Sequence, residues 1–160
     1  MSSIRFREAA SADAPAMTAL IASLPEWFTP DEIETVRQVV GPPGVVAVAD
    51  DSRVIGMCVW EQRVDEWEIC WLAVARNLHR RGVGRRMLAW MLQRARRARI
   101  ARIRVQTVAA TTNCEPYVAT RAFYEACGFE LDSIEPQAWP DGTDKAVYVL
   151  SVHAAEEGLQ

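Results

Sequence analysis

The sequence predicts a single α/β domain in which several strands pair in hairpins and helices are inserted between others. Three observations carry this. Short apolar runs of strand character alternate with segments whose apolar residues recur every three to four positions. At 160 residues, half of them apolar and 24% charged, the chain is sized for one core. No repeat, linker or low-complexity stretch divides residues 1–160, and only the tail from His153 reads as frayed.

The elements follow in order. Ile4 and Phe6 alternate with Arg5 and Arg7, which predicts a half-buried strand. A helix is expected from about Asp13 to Leu24, with Met17, Leu20, Ile21 and Leu24 on one face. Thr29-Pro-Asp-Glu32 combines a cap, a proline suited to the first helical position and the glutamate of a capping box. The helix it opens carries Ile33, Val36, Val39 and Val40 and stops before Gly41-Pro-Pro-Gly44. Val45–Ala49 and Val54–Trp60 read as strands joined by a turn at Asp50-Asp-Ser52. A further strand covers Trp67–Val74, and from Gly82 a long helix sets Val83, Met87, Met91 and Ala95 on its apolar face. Ile103–Thr107 is a strand. A short helix around Arg121–Ala126 ends at Gly128, suited to a left-handed cap. Glu130–Ile134 and Lys145–Val152 make the last two strands.

The net charge of −3 conceals an asymmetry. Eleven of the eighteen cationic residues lie from Arg76 to Arg104, an interval without one acid. A basic stretch inside an otherwise acidic chain points to a polyanionic ligand at one place and argues against a general nucleic-acid surface. Arg80, Arg81 and Arg85 stand beside glycines, whereas Arg94, Arg96, Arg97 and Arg99 fit a solvated helix face equally well. Cys58, Cys70, Cys114 and Cys127 show no metal-ligand spacing, and three of the four read as buried thiols. With no apolar run of signal or membrane-spanning length, the expectation is a reduced cytoplasm, with no membrane and no metal.

The most informative stretch is Glu68-Ile-Cys-Trp-Leu-Ala-Val74 followed by His79-Arg-Arg-Gly-Val-Gly84. A strand runs into a glycine-punctuated turn that opens a helix, exposing backbone N–H groups at the positive end of a helix dipole. The dinucleotide fingerprint fails because Met87 stands where its third glycine is needed, and no Gly-Lys-Ser/Thr follows for a Walker loop. The turn resembles the acetyl-CoA pyrophosphate loop of the Gcn5-related N-acetyltransferases (GNAT), written Gln/Arg-x-x-Gly-x-Gly/Ala. Thr120-Arg-Ala-Phe-Tyr-Glu-Ala-Cys-Gly-Phe129 is similar to the family's tyrosine followed four residues later by Gly-Phe. Ile4-Arg5, Asp13-Ala14 and Leu20-Ile21 are a weaker third match.

The resemblance spans Ile4 to about Val152. It implies a mixed, mostly antiparallel sheet with central splayed parallel strands flanked by helices, the acyl-CoA N-acyltransferase fold. It implies acetyl-CoA as cosubstrate and an amine of a small molecule or peptide as acceptor, attacked directly in a ternary complex. Pantetheine would lie along Leu72, Ala73 and Val74, with Val74 nearest to polarising the thioester carbonyl. The phosphates would be held by His79, Arg80, Arg81, Gly82, Val83, Gly84 and Arg85. Tyr124 aligns with the tyrosine that protonates the leaving thiolate and contacts the cofactor, or it packs beside Phe123. Glu68 aligns with a general base used by some members, or it is an exposed strand acid. Glu115, Glu66 and Asp65 are weaker candidates for that role.

Three departures stand out. His79 replaces the usual Gln or Arg, Tyr117 replaces the usual asparagine seven residues before the tyrosine, and Thr120 stands where alanine is common. Asn113, in the connection before Tyr117, is the candidate to replace that asparagine's cofactor contact. For the acceptor, Pro25-Glu-Trp-Phe28 and Gln137-Ala-Trp-Pro140 offer Trp27, Phe28 and Trp139 with the acids Glu26 and Asp141 nearby. They would suit a small cation, or the aromatics pack under loops. The competing reading is a non-catalytic acyl-CoA-sensing or polyanion-binding module on the same fold. The sequence leaves room for a homodimer.

Overall fold

Residues 3–39, 43–112 and 114–153 are described in the computed structural model. The elements are β1 (Arg5–Glu8), α1 (Ala14–Ala22), α2 (Pro30–Val39), β2 (Gly44–Val48), β3 (Val54–Gln62), β4 (Glu66–Val74), α3 (Val83–Arg97), β5 (Arg102–Val108), α4 (Glu115–Ala126), β6 (Glu130–Glu135) and β7 (Lys145–Ser151). The strands form one mixed sheet in the order β1-β2-β3-β4-β5-β7-β6. β4 and β5 run parallel, while the pairs β1–β2, β2–β3, β5–β7 and β6–β7 are antiparallel. This is the α/β architecture expected. The chain divides into two compact units, one comprising residues 1–61 and 70–94, the other 62–69 and 95–160.

In the first unit, α1 contributes Met17, Leu20 and Ile21 to a core shared with Val36 of α2 and with Val46, Val48, Met57, Val59 and Ala73 of the strands. At nine residues α1 is too short to persist alone. Burial holds it, with each fully buried side chain of this size contributing about 1.5–3 kcal/mol. The helix is shorter than the pattern suggested, because Ser11–Asp13 form a separate 3-10 turn and Ser23 Oγ bonds the Leu20 carbonyl at 2.6 Å. The capping box of α2 forms as read. The Thr29 N–H donates to Glu32 at 2.7 Å and the Glu32 N–H to Thr29 Oγ1 at 3.2 Å. Val40 lies outside the described residues. Val83, Met87, Leu88, Met91 and Leu92 of α3 are all buried, as their spacing requires.

In the second unit, Ile103 and Val105 of β5 pair with Leu150 and Tyr148 of β7, and all four are buried. Helix α4 joins this face through Tyr148, whose hydroxyl donates to Glu125 at 3.0 Å. α4 begins at Glu115, ahead of the expected Arg121. Pro116, in its first turn, needs no intrahelical N–H acceptor and carries a preset φ. Its end is as read. Gly128 has φ 96°, the Phe129 N–H reaches the Tyr124 carbonyl at 3.0 Å, and the Gly128 N–H reaches Glu125 at 3.0 Å. That is a Schellman ending.

Two cysteines, Cys58 and Cys127, are buried, not three. Cys114 is half-buried and Cys70 is exposed. Alternation along β4 turns Cys70 to the face opposite Ile69 and Trp71, so its apolar neighbours in sequence do not enclose it in space.

Candidate active site

The turn between β4 and α3 lies within the first unit. After β4 comes a single 3-10 turn, Arg76–Leu78, and then extended His79. Arg80 and Gly82 both have left-handed backbone, φ 62° and 78°. A Cβ on Gly82 would meet nothing within 4 Å, so glycine is needed there for its φ and not for space. Arg80 has no such freedom and costs about 1–2 kcal/mol in this conformation. Left-handed residues interleaved with ordinary ones turn successive N–H groups toward a common concavity. The N–H groups of Arg80 to Gly84 take no acceptor among the described residues, and the first donors of any helix have none within it. Arg80, Arg81 and Arg85 are exposed at this turn. Arg80 and Arg81 make no ion pair among the described residues.

His79 acts as a latch. Its Nε2–H donates to the Val74 carbonyl at 2.7 Å, and its ring meets Trp27 edge-on with centroids 5.5 Å apart. The turn is therefore pinned to the end of β4 by an imidazole–carbonyl contact, at the position where glutamine or arginine is usual. Leu72 and Val74 are half-buried and Ala73 is buried.

Glu68 lies in the second unit and is 8% exposed, so it is not a solvated strand acid. Arg104 Nη1 and Gln106 Nε2 donate to its Oε1 at 2.7 and 2.8 Å, and Arg63 Nη2 donates to its Oε2 at 2.9 Å. The parallel register sets Glu68 opposite Arg104 and Glu66 opposite Arg102, the latter pair 3.0 Å apart. None of these partners was singled out from sequence. The signal was present in the alternation Arg102-Ile-Arg-Val-Gln106, which puts three polar side chains on one face. Asp65 serves the backbone, its carbonyl accepting from Ala101 at 2.9 Å, and Glu115 is exposed in the first turn of α4.

Tyr124 is 5% exposed, its ring 5.3 Å from those of both Phe123 and Phe129. Its helix is tied to the end of β5 by buried Arg121, which donates to the Val108 carbonyl at 2.8 Å. Asn113 lies outside the described residues.

The proposed acceptor aromatics are engaged in packing. Trp27 and Phe28 rest on the first unit's core. Glu26 is held by Arg76 at 2.7 Å, and that bond keeps its carboxyl below the usual range. In the second unit, Trp139 Nε1 donates to the Thr107 carbonyl at 3.2 Å, and Lys145 Nζ sits 4.7 Å above its ring. Asp141 accepts from Thr143. Among the helix arginines, Arg94 lies over Trp90 at 4.3 Å.

Residues 42–131 match the family model described as "Acetyltransferase (GNAT) domain". The chain belongs to the GNAT acetyltransferase family. A GNAT-family structure from Desulfovibrio desulfuricans superposes with a TM-score of 0.81 at 24% identity, covering 94% of this chain and 99% of its own. The ribosomal-protein-S18-alanine N-acetyltransferase of Escherichia coli gives 0.73 at 20% identity, covering 95% and 94%. A Bacillus anthracis protein of the streptothricin acetyltransferase type, in complex with acetyl coenzyme A, gives 0.59 at 22%, covering 68% and 61%. At these identities the structural likeness speaks to the GNAT fold. The search of curated proteins found no match. Among the described residues, no group of side chains could hold a metal and no helix is long and apolar enough to cross a membrane.

Proposed function

We propose that this GNAT moves an acetyl group from acetyl-CoA to a primary amine of a small molecule or peptide, by direct attack in a ternary complex. The observation that carries this reading is the turn from Arg80 to Gly84. Among the described residues it gathers N–H groups of Arg80 to Gly84 that take no acceptor, beside the exposed Arg80 and Arg81, at the start of α3, the chemistry a pyrophosphate requires. Leu72, Ala73 and Val74 supply backbone for the pantetheine, and Val74 is the candidate donor to the thioester carbonyl. Tyr124 donates the proton that the departing thiolate needs.

Glu68 has two readings. As a base it accepts the amine's proton through water. As an anchor it orders Arg63, Arg104 and Gln106. The three donors already on its oxygens favour the anchor, since each stabilises the carboxylate form that a base must give up on taking a proton. The acceptor meets Trp27, Phe28 and Trp139. Glu26 and Asp141 are already engaged, and Arg76 lies over Trp27 and Lys145 over Trp139, so a cationic acceptor would take the place of those side chains on the aromatic faces.

Incubating the protein with acetyl-CoA and a panel of amines, while following thiol release, tests the reaction. Turnover with at least one amine is expected. Tight acetyl-CoA binding with no turnover on any amine would favour the sensing module.

A further inference from the structure

We propose that a cavity within the first unit binds a small organic anion with an apolar body and thereby regulates the turn before α3. The cavity is a groove open to solvent, with Ala12, Ala16, Ala19, Arg53, Arg81 and Arg86 of its lining exposed, and it offers about 850 Å³, inside the roughly 300–1,000 Å³ range of small-molecule sites. Its apolar wall exists because Ala12, Ala16 and Ala19 present methyl groups where larger side chains would close the gap. Leu20, Val54 and Ile55 complete that wall.

The charges decide the class of ligand. Four charged residues line the cavity, namely Asp13, Arg53, Arg81 and Arg86. Asp13 is already neutralised. Both its oxygens accept from Arg7 at 2.8 Å, and the Ala10 N–H adds a third bond at 2.8 Å. Arg53 is neutralised too, by Asp51 at 2.6 Å. Arg81 and Arg86 have no carboxylate partner among the described residues. Arg86 instead lies over the Phe6 ring at 4.6 Å, a contact that holds the guanidinium in place without cancelling its charge. Two uncompensated guanidiniums therefore face an apolar wall. An inorganic anion would use the charge and leave the wall wet, while a neutral apolar ligand would leave the charge unanswered. A carboxylate or sulfonate on an apolar body meets both.

Asn77, Leu78 and Arg81 line the cavity and also belong to the segment joining β4 to α3. An occupant touching them holds that segment in one arrangement and changes its affinity for whatever its N–H groups bind. This coupling rests on the reading of the turn as the CoA site; the cavity does not.

The test uses 8-anilinonaphthalene-1-sulfonate as probe, by fluorescence, and CoA by calorimetry. The wild type should bind one probe. Ala16→Trp, which fills the cavity, and Arg86→Ala, which removes a surface cation, should each weaken the probe about tenfold or more while keeping CoA affinity. Saturating CoA should change probe affinity by a fixed factor without expelling the probe. Wild-type probe affinity in both variants, or simple competition between CoA and the probe, would overturn the site. Probe loss in the variants with CoA affinity indifferent to the probe would overturn the coupling. A protein that binds the probe here but no CoA would sink the reading of the turn and leave the cavity standing.

Discussion

The Tyr124 carbonyl accepts the Phe129 N–H at 3.0 Å, and the two rings meet at 66° with centroids 5.3 Å apart. The spacing Tyr-x-x-x-Gly-Phe is thus the spacing of a helix ending. Gly128 supplies the left-handed step, Phe129 returns the chain to the last turn, and the aromatic pair seals it. The tyrosine is held in place by its backbone and ring, so a substitution that removes the hydroxyl and keeps the ring tests the hydroxyl by itself.

Tyr124→Phe should keep ring packing and stability and lower turnover by about 10²–10⁴-fold, with acetyl-CoA affinity nearly unchanged. Tyr124→Ala should cost about 3–5 kcal/mol of stability as well, because the ring is buried. Undiminished turnover in the phenylalanine variant at saturating substrates, with chemistry rate-limiting, would reduce Tyr124 to packing.

Glu68→Gln separates base from anchor. If Glu68 accepts the amine's proton, the variant is slow at neutral pH and partly recovers where the free amine is abundant. If it only orders its partners, stability falls by about 1–3 kcal/mol and the shape of the pH–rate profile overlays that of the wild type. The three donors on the carboxylate favour the second outcome.

Asp13 gives a pH dependence with a definite sign. Its hydrogen bond to Arg7 holds its carboxyl below the usual carboxylate range, burial opposing and the Ala10 N–H assisting. A depressed folded value means that the stabilisation is present above the unfolded value and is lost as pH falls through the folded one. Asp13→Asn should therefore destabilise by about 1 kcal/mol at neutral pH, a modest figure because Arg7 is half-exposed. In urea titrations the difference should vanish in strong acid. A constant difference across pH would exclude the ion pair as its cause.

Thiol reagents should distinguish the cysteines. Cys70 is exposed, whereas Cys58 is enclosed and burial pushes its thiol well above the ordinary value. Mass mapping after brief alkylation of the native protein should find Cys70 modified and Cys58 intact until denaturant is added. Equal labelling would contradict the enclosure of β3.

Local chemistry made much of this legible. The Thr29–Glu32 box, the turns at Gly82 and Gly128 and the buried stripe of α3 depend on residues within a few positions of one another. What escaped depends on register and packing across the chain. Glu68 finds Arg104 and Gln106 only through the parallel pairing of β4 with β5. His79 is taken up by the Val74 carbonyl and by the Trp27 ring, the latter far from it in sequence. The left-handed Arg80 was also not legible, since no glycine marks it.

The measurement closest to the central claim is acetyl-CoA calorimetry on Gly84→Glu beside the wild type. Gly84 is buried in the first turn of α3, where a glutamate suits the helix dipole but meets the pyrophosphate with like charge. Circular dichroism reports whether the fold survives, and the Arg80→Glu/Arg81→Glu double variant repeats the test from the exposed side. Wild-type binding should weaken as salt rises, and both variants should lose affinity by about 100-fold or more while remaining folded. Unchanged affinity in either folded variant would contradict the assignment of this turn as the phosphate site.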